Sequence, residues 1–264
     1  MKAEGRLLAL ADMAEAQWGL FTSTQAGAAG FTAQQLKRLA DSELIIRLRH
    51  GVYRLTGAPA NPEDPIRAEW LALEPGRQAS ERLADGVPMG VVSYRSAALI
   101  QGLGDVDADV HEFTVPRRRS TRSPDVKFHV RELSPEDWHM AAGLPVTRPL
   151  RTVVDLAAAR TDGGHLAGVV RDAILTEDTT RDELATALRP YAHYYGFRVG
   201  AGDALVHNFI GQAGIPASAK ALTRDDHGID LILYDADNNP IPVQVKHFRA
   251  PGRSVYPARG QQRR

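Results

Sequence analysis

Gln34, Gln35, Lys37 and Arg38 crowd into five consecutive positions, and all four carry side chains that suit nucleic acid. A glutamine amide can pair two-pronged with an adenine edge, and an arginine guanidinium with guanine. Arg47, Arg49 and Arg54 follow, cations suited to backbone phosphates rather than to bases. Thr32, His50 and Tyr53 join them as polar members of the same stretch. A second basic cluster holds Arg117, Arg118, Arg119, Arg122, Lys127 and Arg131 against a single acid, Asp125. It reads either as a set of extra phosphate contacts or as a solvated loop.

The residues around the first cluster dictate how it is held. Thr22 to Thr24 offer hydroxyl N-caps for a short helix, Gly30 supplies a turn, and Thr32 caps a second helix. Gln35, three residues on, is the return partner of a capping box. Leu36 and Leu39 share one face of that helix, with Phe31 near its start, which leaves Gln34, Gln35, Lys37 and Arg38 turned away. From Ile45 the alternation predicts a half-buried strand, turned at His50-Gly51 into Val52-Tyr53-Arg54-Leu55. Helix, turn, helix and basic hairpin, in that order, form the plan of a winged helix-turn-helix, with Thr32 to Ala40 as the base-reading helix. Small helix pairs with a hairpin also serve as protein-binding modules. Between Phe31 and Arg54 five basic residues face only Asp41 and Glu43, a modest excess.

The whole chain sets wider limits. Its 264 residues are enough for about two domains, and its formal net charge is zero, so any attraction to DNA must come from a local patch. There is no cysteine, which excludes disulfides and thiolate metal sites. The opening MKAEGRLLALADMAEA reads as a helix broken by charges rather than as a signal peptide, and no apolar run approaches the length of a membrane span. A soluble, cytoplasmic protein without membrane contact is expected. Three prolines, Pro59, Pro62 and Pro65, mark a linker, after which a helix capped by Asp64 should run to Leu73. Further on, a helix ending at Gly102 is expected, then strands at His111 to Val115 and Val126 to Val130. Helices follow after Thr147, over Gly164 to Leu175 and over Arg181 to Leu188.

With these elements in place, the N-terminal module, VVSYRSAALIQGLGD, HEFTVP and GLPVTRPLRTVVDLA together resemble the AbiEi family of antitoxins, over roughly Leu7 to Leu188. The resemblance implies a winged-helix operator-binding domain followed by an α/β antitoxin domain. It also implies a partner toxin of the nucleotidyltransferase type and repression of the chain's own operon, often without a stable toxin complex. The expected partners are thus double-stranded operator DNA, read as inverted repeats, and a cognate nucleotidyltransferase toxin. No cofactor and no resident metal are expected.

The tail adds a different possibility. Asp226 to Phe248 reads as a hairpin turned at Asp235 to Pro240, with Gln244 and Lys246 on one face of its second strand. Asp230 entering one strand and Gln-x-Lys on the next resemble the core of Mrr-like nucleases of the PD-(D/E)xK group. That likeness implies Asp230 and Gln244 as Mg²⁺ ligands and Lys246 as the residue that orients water. A neutral Gln244 suits a hard cation poorly, and an ordinary hairpin accounts for the same residues. The expected fold class is α/β in the α+β sense: winged helix-turn-helix over 1–57, linker 58–65, mixed α/β antitoxin domain 66–200, and a hairpin-containing region 201–264. A non-enzymatic regulator is the primary expectation, and a DNA-targeted, Mg²⁺-dependent nuclease the alternative.

Overall fold

A computed structural model describes residues 3–121, 123–176, 179–214, 220–221, 231–234 and 240–243. They divide into two compact units, one of residues 1–96 and 109–147, the other of residues 97–108 and 148–264.

The first unit begins with α1 (Ala3–Glu15), β1 (Leu20–Thr22), α2 (Ser23–Ala28) and α3 (Ala33–Asp41). The strands β2 (Ile45–Arg49) and β3 (Val52–Leu55) complete a three-stranded antiparallel sheet in the order β1-β3-β2. Both short helices start at capping boxes. Thr32 Oγ1 accepts from the Gln35 N–H at 3.2 Å while Gln35 Oε1 accepts from the Thr32 N–H at 2.8 Å, and Thr22 and Gln25 repeat the arrangement. Leu10, Ala14, Phe21, Ala26, Leu36 and Ile45 form the core, flanked by Phe31, Leu39, Tyr53 and Leu55. Gly30, at φ +89°, turns the chain between α2 and α3, and Arg6 fastens that turn by donating to the Gly30 carbonyl at 2.9 Å.

Next comes α4 (Asp64–Leu73), packed against β1, β2 and β3, then α5 (Ala79–Leu83). Asp64 does not cap α4 as the sequence suggests; Glu63 occupies that position without a side-chain cap, and Asp64 is engaged with arginines instead. The segment between α4 and α5 is tied to α2 by a buried amide pair. Gln17 and Gln25 donate to one another's oxygens at 3.1 and 3.0 Å, Gln25 also donates to the Arg77 carbonyl, and the Ala79 N–H donates to Gln17. Paired this way, two buried amides are satisfied without solvent.

A five-stranded mixed sheet fills the rest of the unit, in the order β6-β5-β4-β8-β7. Its strands are β4 (Val91–Val92), β5 (His111–Val115), β6 (Val126–Val130), β7 (Trp138–Ala141) and β8 (Leu144–Thr147). β5 and β6 span the residues expected from their alternation and lie parallel, with Glu112 opposite Lys127 and Thr114 opposite His129. β8 occupies the residues up to and including Thr147, the expected cap; α7 starts at Pro149 with Arg148 at the cap position. Gly143, at φ +80° in the β7–β8 turn, leaves room for the Trp18 indole: a Cβ there would sit 2.6 Å from its nitrogen.

The second unit is helical, with α7 (Pro149–Ala158), α8 (Gly163–Leu175), α9 (Arg181–Leu188) and α10 (Gly202–Gln212). The end of α6 (Tyr94–Gln101) also belongs to it. Leu156, Val170, Leu184, Leu205 and Phe209 are among its buried side chains. Gly202 permits a close approach, since a Cβ there would meet the Ala185 carbonyl oxygen at 1.9 Å. Among the described tail residues, the backbone forms β9 (Lys220–Ala221), β10 (Leu231–Tyr234) and β11 (Pro240–Val243), antiparallel in the order β11-β10-β9. The two expected strands therefore pair, Leu231 with Val243 and Tyr234 with Pro240, a residue the sequence assigns to the turn; residues 235–239 lie outside the described residues. Asp230, Gln244 and Lys246, the residues of the nuclease reading, lie outside the described residues, as does Arg122. No helix among the described residues is long and apolar enough to cross a membrane.

Candidate nucleic-acid interface

On α3, Gln34, Lys37 and Arg38 stand at i, i+3 and i+4 and form one exposed strip opposite buried Leu36. Among the described residues Lys37 pairs only with Asp41, at 3.6 Å, with 79% of its side chain in solvent. A pair this exposed contributes little and yields easily to a phosphate. Arg38 makes no side-chain hydrogen bond or ion pair among the described residues. Thr32 and Gln35 are used differently: their side chains close the capping box, so they set the start of α3. A helix start held in this way presents a rigid strip to whatever binds it.

The wing distributes its three arginines unequally. In β2 the register slips by one residue: Arg47 pairs with Tyr53, but Arg49 pairs with Val52. Side chains of paired residues share a face, so this bulge turns Arg49 to the side opposite Arg47. The Arg47 face carries Ile45, Tyr53 and Leu55 and packs on the helical core, where Tyr53 stacks on Phe21 with centroids 5.7 Å apart. The other face carries Arg49, Val52 and Arg54 and looks toward α4. There Arg54 meets Asp64 at 2.6 Å, with side chains only 12% and 4% exposed, and Arg67 adds a second cation to Asp64 at 3.5 Å. Arg49 pairs with Glu69, their side chains 26% and 11% exposed. Burial pushes the Glu69 carboxyl above its ordinary range, and the neighbouring Arg49 charge only partly offsets this.

Arg47 is the wing cation left in solvent. Its guanidinium donates to His50 Nδ1 at 2.7 Å, so a neutral His50 carries its proton on Nε2. Together the two side chains offer donors at the hairpin turn, where Gly51 adopts φ +78°.

In the second cluster, Arg117 and Arg118 are exposed and without side-chain partners among the described residues. Arg119 is held down by donating to the Leu73 carbonyl at 2.6 Å. Lys127 is paired with Glu112 at 3.1 Å, and His129 shares the same carboxylate oxygen at 3.0 Å. Glu112 is invisible as a site in the sequence; only the parallel β5–β6 register brings Lys127 and His129 to it. Burial would raise its carboxyl, but hydrogen bonds from His129, the Arg95 N–H and Lys127 outweigh that and hold it below the usual carboxylate range. Among the described residues no group of His, Asp and Glu could hold a metal ion.

A winged module with an exposed polar strip on its second helix is joined here to a mixed sheet and a helical unit. Two family models match these parts. Residues 9–56 match the one described as transcriptional regulator, AbiEi antitoxin, and residues 85–198 match AbiEi antitoxin C-terminal domain. The chain belongs to the AbiEi antitoxin family. No curated protein matches it. As an AbiEi antitoxin it is a regulator, with the winged module in its N-terminal match and the five-stranded sheet and helices α6 to α9 in its C-terminal match. The antitoxin match ends at residue 198, ahead of α10 and the tail hairpin.

Proposed function

We propose that this AbiEi antitoxin represses its own toxin–antitoxin operon by binding inverted repeats in the operator, and that the cognate toxin is a nucleotidyltransferase. The observation that carries the DNA reading is the α3 strip of Gln34, Lys37 and Arg38, exposed on a helix fixed at its start by the Thr32–Gln35 box. In this reading α3 lies in the major groove, Gln34 and Arg38 address base edges, and Lys37 reaches phosphate. Arg47 and His50 contact the flanking backbone, while Arg117 and Arg118 add phosphate contacts beyond the module. Tyr53, Arg54 and Arg119 support the surface from beneath, and the protein works in the cytoplasm.

A gel shift on the chain's own promoter tests this. A retarded complex that survives excess random duplex is expected, with two copies bound across an inverted repeat. No specific shift at moderate salt would overturn the reading. Replacing Arg117 and Arg118 with alanine should flatten the log–log salt dependence by about 0.9 for each phosphate that is no longer neutralised. For the toxin, co-expression with the neighbouring nucleotidyltransferase gene should restore growth. Failure to do so would leave the DNA reading standing and remove the partner.

A further inference from the structure

The wing carries two arginine–carboxylate pairs of different depth, and the shallower one sits beside the outward-facing cation. We propose that Glu69 acts as an intramolecular stand-in for a DNA phosphate: it withholds Arg49 from the backbone and thereby sets how strongly the wing grips DNA. This rests on the DNA-binding reading and concerns the regulation of that same surface.

Three observations support it. Arg49 ends β2, two residues beyond Arg47 and next to the His50–Gly51 turn, so its backbone lies at the part of the wing that approaches DNA. The bulge, however, turns its side chain to the α4 face, where Glu69 holds it. The pair is also the more accessible of the two. Arg49 keeps about a quarter of its side chain in solvent and, among the described residues, pairs with Glu69 alone, whereas Arg54 is nearly enclosed and its Asp64 is shared with Arg67. Desolvation of Glu69 weighs against its ionised form, as burial does for any carboxylate in an ion pair, so the bond that restrains Arg49 is held at a cost. A phosphate would meet the same guanidinium geometry in a better-hydrated setting. The deep pair anchors the wing; the shallow pair is exchangeable.

The experiment is a salt titration of full-length protein binding to a short fluorescent duplex of random sequence, which isolates phosphate contacts from base reading. Four chains are compared: wild type, Glu69→Gln, Arg49→Gln and the double variant, each checked for folding by thermal melting. Glu69→Gln is expected to bind more tightly and to steepen the log–log slope by about 0.9, the value of one added phosphate contact. Arg49→Gln alone should leave the wild-type slope unchanged, and the double variant should return to it. If Glu69→Gln melts cooperatively with the wild-type slope, the pair is purely structural and the proposal fails. If Arg49→Gln flattens the wild-type slope, Arg49 is already on phosphate and the proposal fails as well. Should Glu69→Gln fold poorly, Glu69→Asp draws the carboxylate back by one methylene and should show part of the same gain; a folded Glu69→Asp with no gain overturns the proposal. Absence of salt-dependent binding by wild type would instead overturn the DNA-binding reading itself. Arg47→Ala tells the two failures apart, because it should flatten the slope by about 0.9 whether or not Glu69 restrains its neighbour.

Discussion

Helix α3 and the β2–β3 wing carry the same kinds of cation, yet the fold uses them in opposite ways. On α3, Lys37 and Arg38 stand in solvent, and the carboxylate beside Lys37, Asp41, is itself exposed. On the wing, two of three arginines are drawn onto α4 by acids further along the chain: Glu69, 20 positions on, takes Arg49, and Asp64, 10 positions on, takes Arg54. What separates the two regions is the dielectric around the counter-charge. An exposed carboxylate screens a lysine weakly, whereas a buried one makes an arginine part of the framework. Basic residues in a sequence therefore count as a binding surface only after their buried acids have been subtracted.

The contrast breaks most visibly at Asp64. Asp64→Asn removes the carboxylate from beneath Arg54 and Arg67 and should destabilise the first unit by about 3–5 kcal/mol, the usual cost of leaving a buried charge unpaired. Urea unfolding reads this directly, and a steeper DNA salt slope with full stability would mean that Arg54 too is held in reserve. On the helix side, Arg38→Ala should weaken binding to the chain's own promoter by about 1–3 kcal/mol while leaving binding to random duplex nearly unchanged. Equal weakening on both would demote Arg38 to a phosphate contact. A smaller effect belongs to the helix start: Thr32→Ala removes the cap, should cost about 1 kcal/mol of stability and should loosen the α3 strip.

The finest test sets two buried carboxylates of the same unit against each other. Glu112 lies below its ordinary range, so its stabilising contribution is present above about pH 4.5 and is lost as pH falls through its folded value. Glu69 lies above its ordinary range, so its contribution is full at acid pH and is lost as pH rises through the raised value. Glu112→Gln should therefore flatten the acid limb of the stability profile, and Glu69→Gln should gain on wild type as pH rises above about 4.5. Unfolding curves at several pH values separate the two; shifts in the same direction would refute the assignment of charge states.

Local signals in the sequence carry the recognition helix a long way. The Thr32–Gln35 box, the Gly30 and Gly51 turns and the strands from His111 and Val126 all follow from rules that reach across a few residues. What escapes those rules depends on distant partners or on a single-residue slip. Regular alternation puts Arg47 and Arg49 on one face, and nothing in Ile45-Ile46-Arg47-Leu48-Arg49 announces the bulge that separates them. Asp64 resembles a cap because its neighbour is proline; its actual use needs Arg54 from the hairpin and Arg67 one turn along. β1, β4 and β8 leave no clear pattern for a related reason, being two to four residues long and defined by pairing more than by alternation. Glu112 and its two partners become a cluster only once a parallel register joins their strands.

The bulge in β2 also changes which kinds of genetic variation matter at the wing. Amino-acid replacement there alters what each face carries, but removal of the single codon for Leu48 would take the bulge out and leave Arg47 opposite Tyr53 and Arg49 opposite Val52, each on its present face. Point substitution, more than length polymorphism at the bulge, is then the lever by which related chains could redistribute charge between DNA and protein interior.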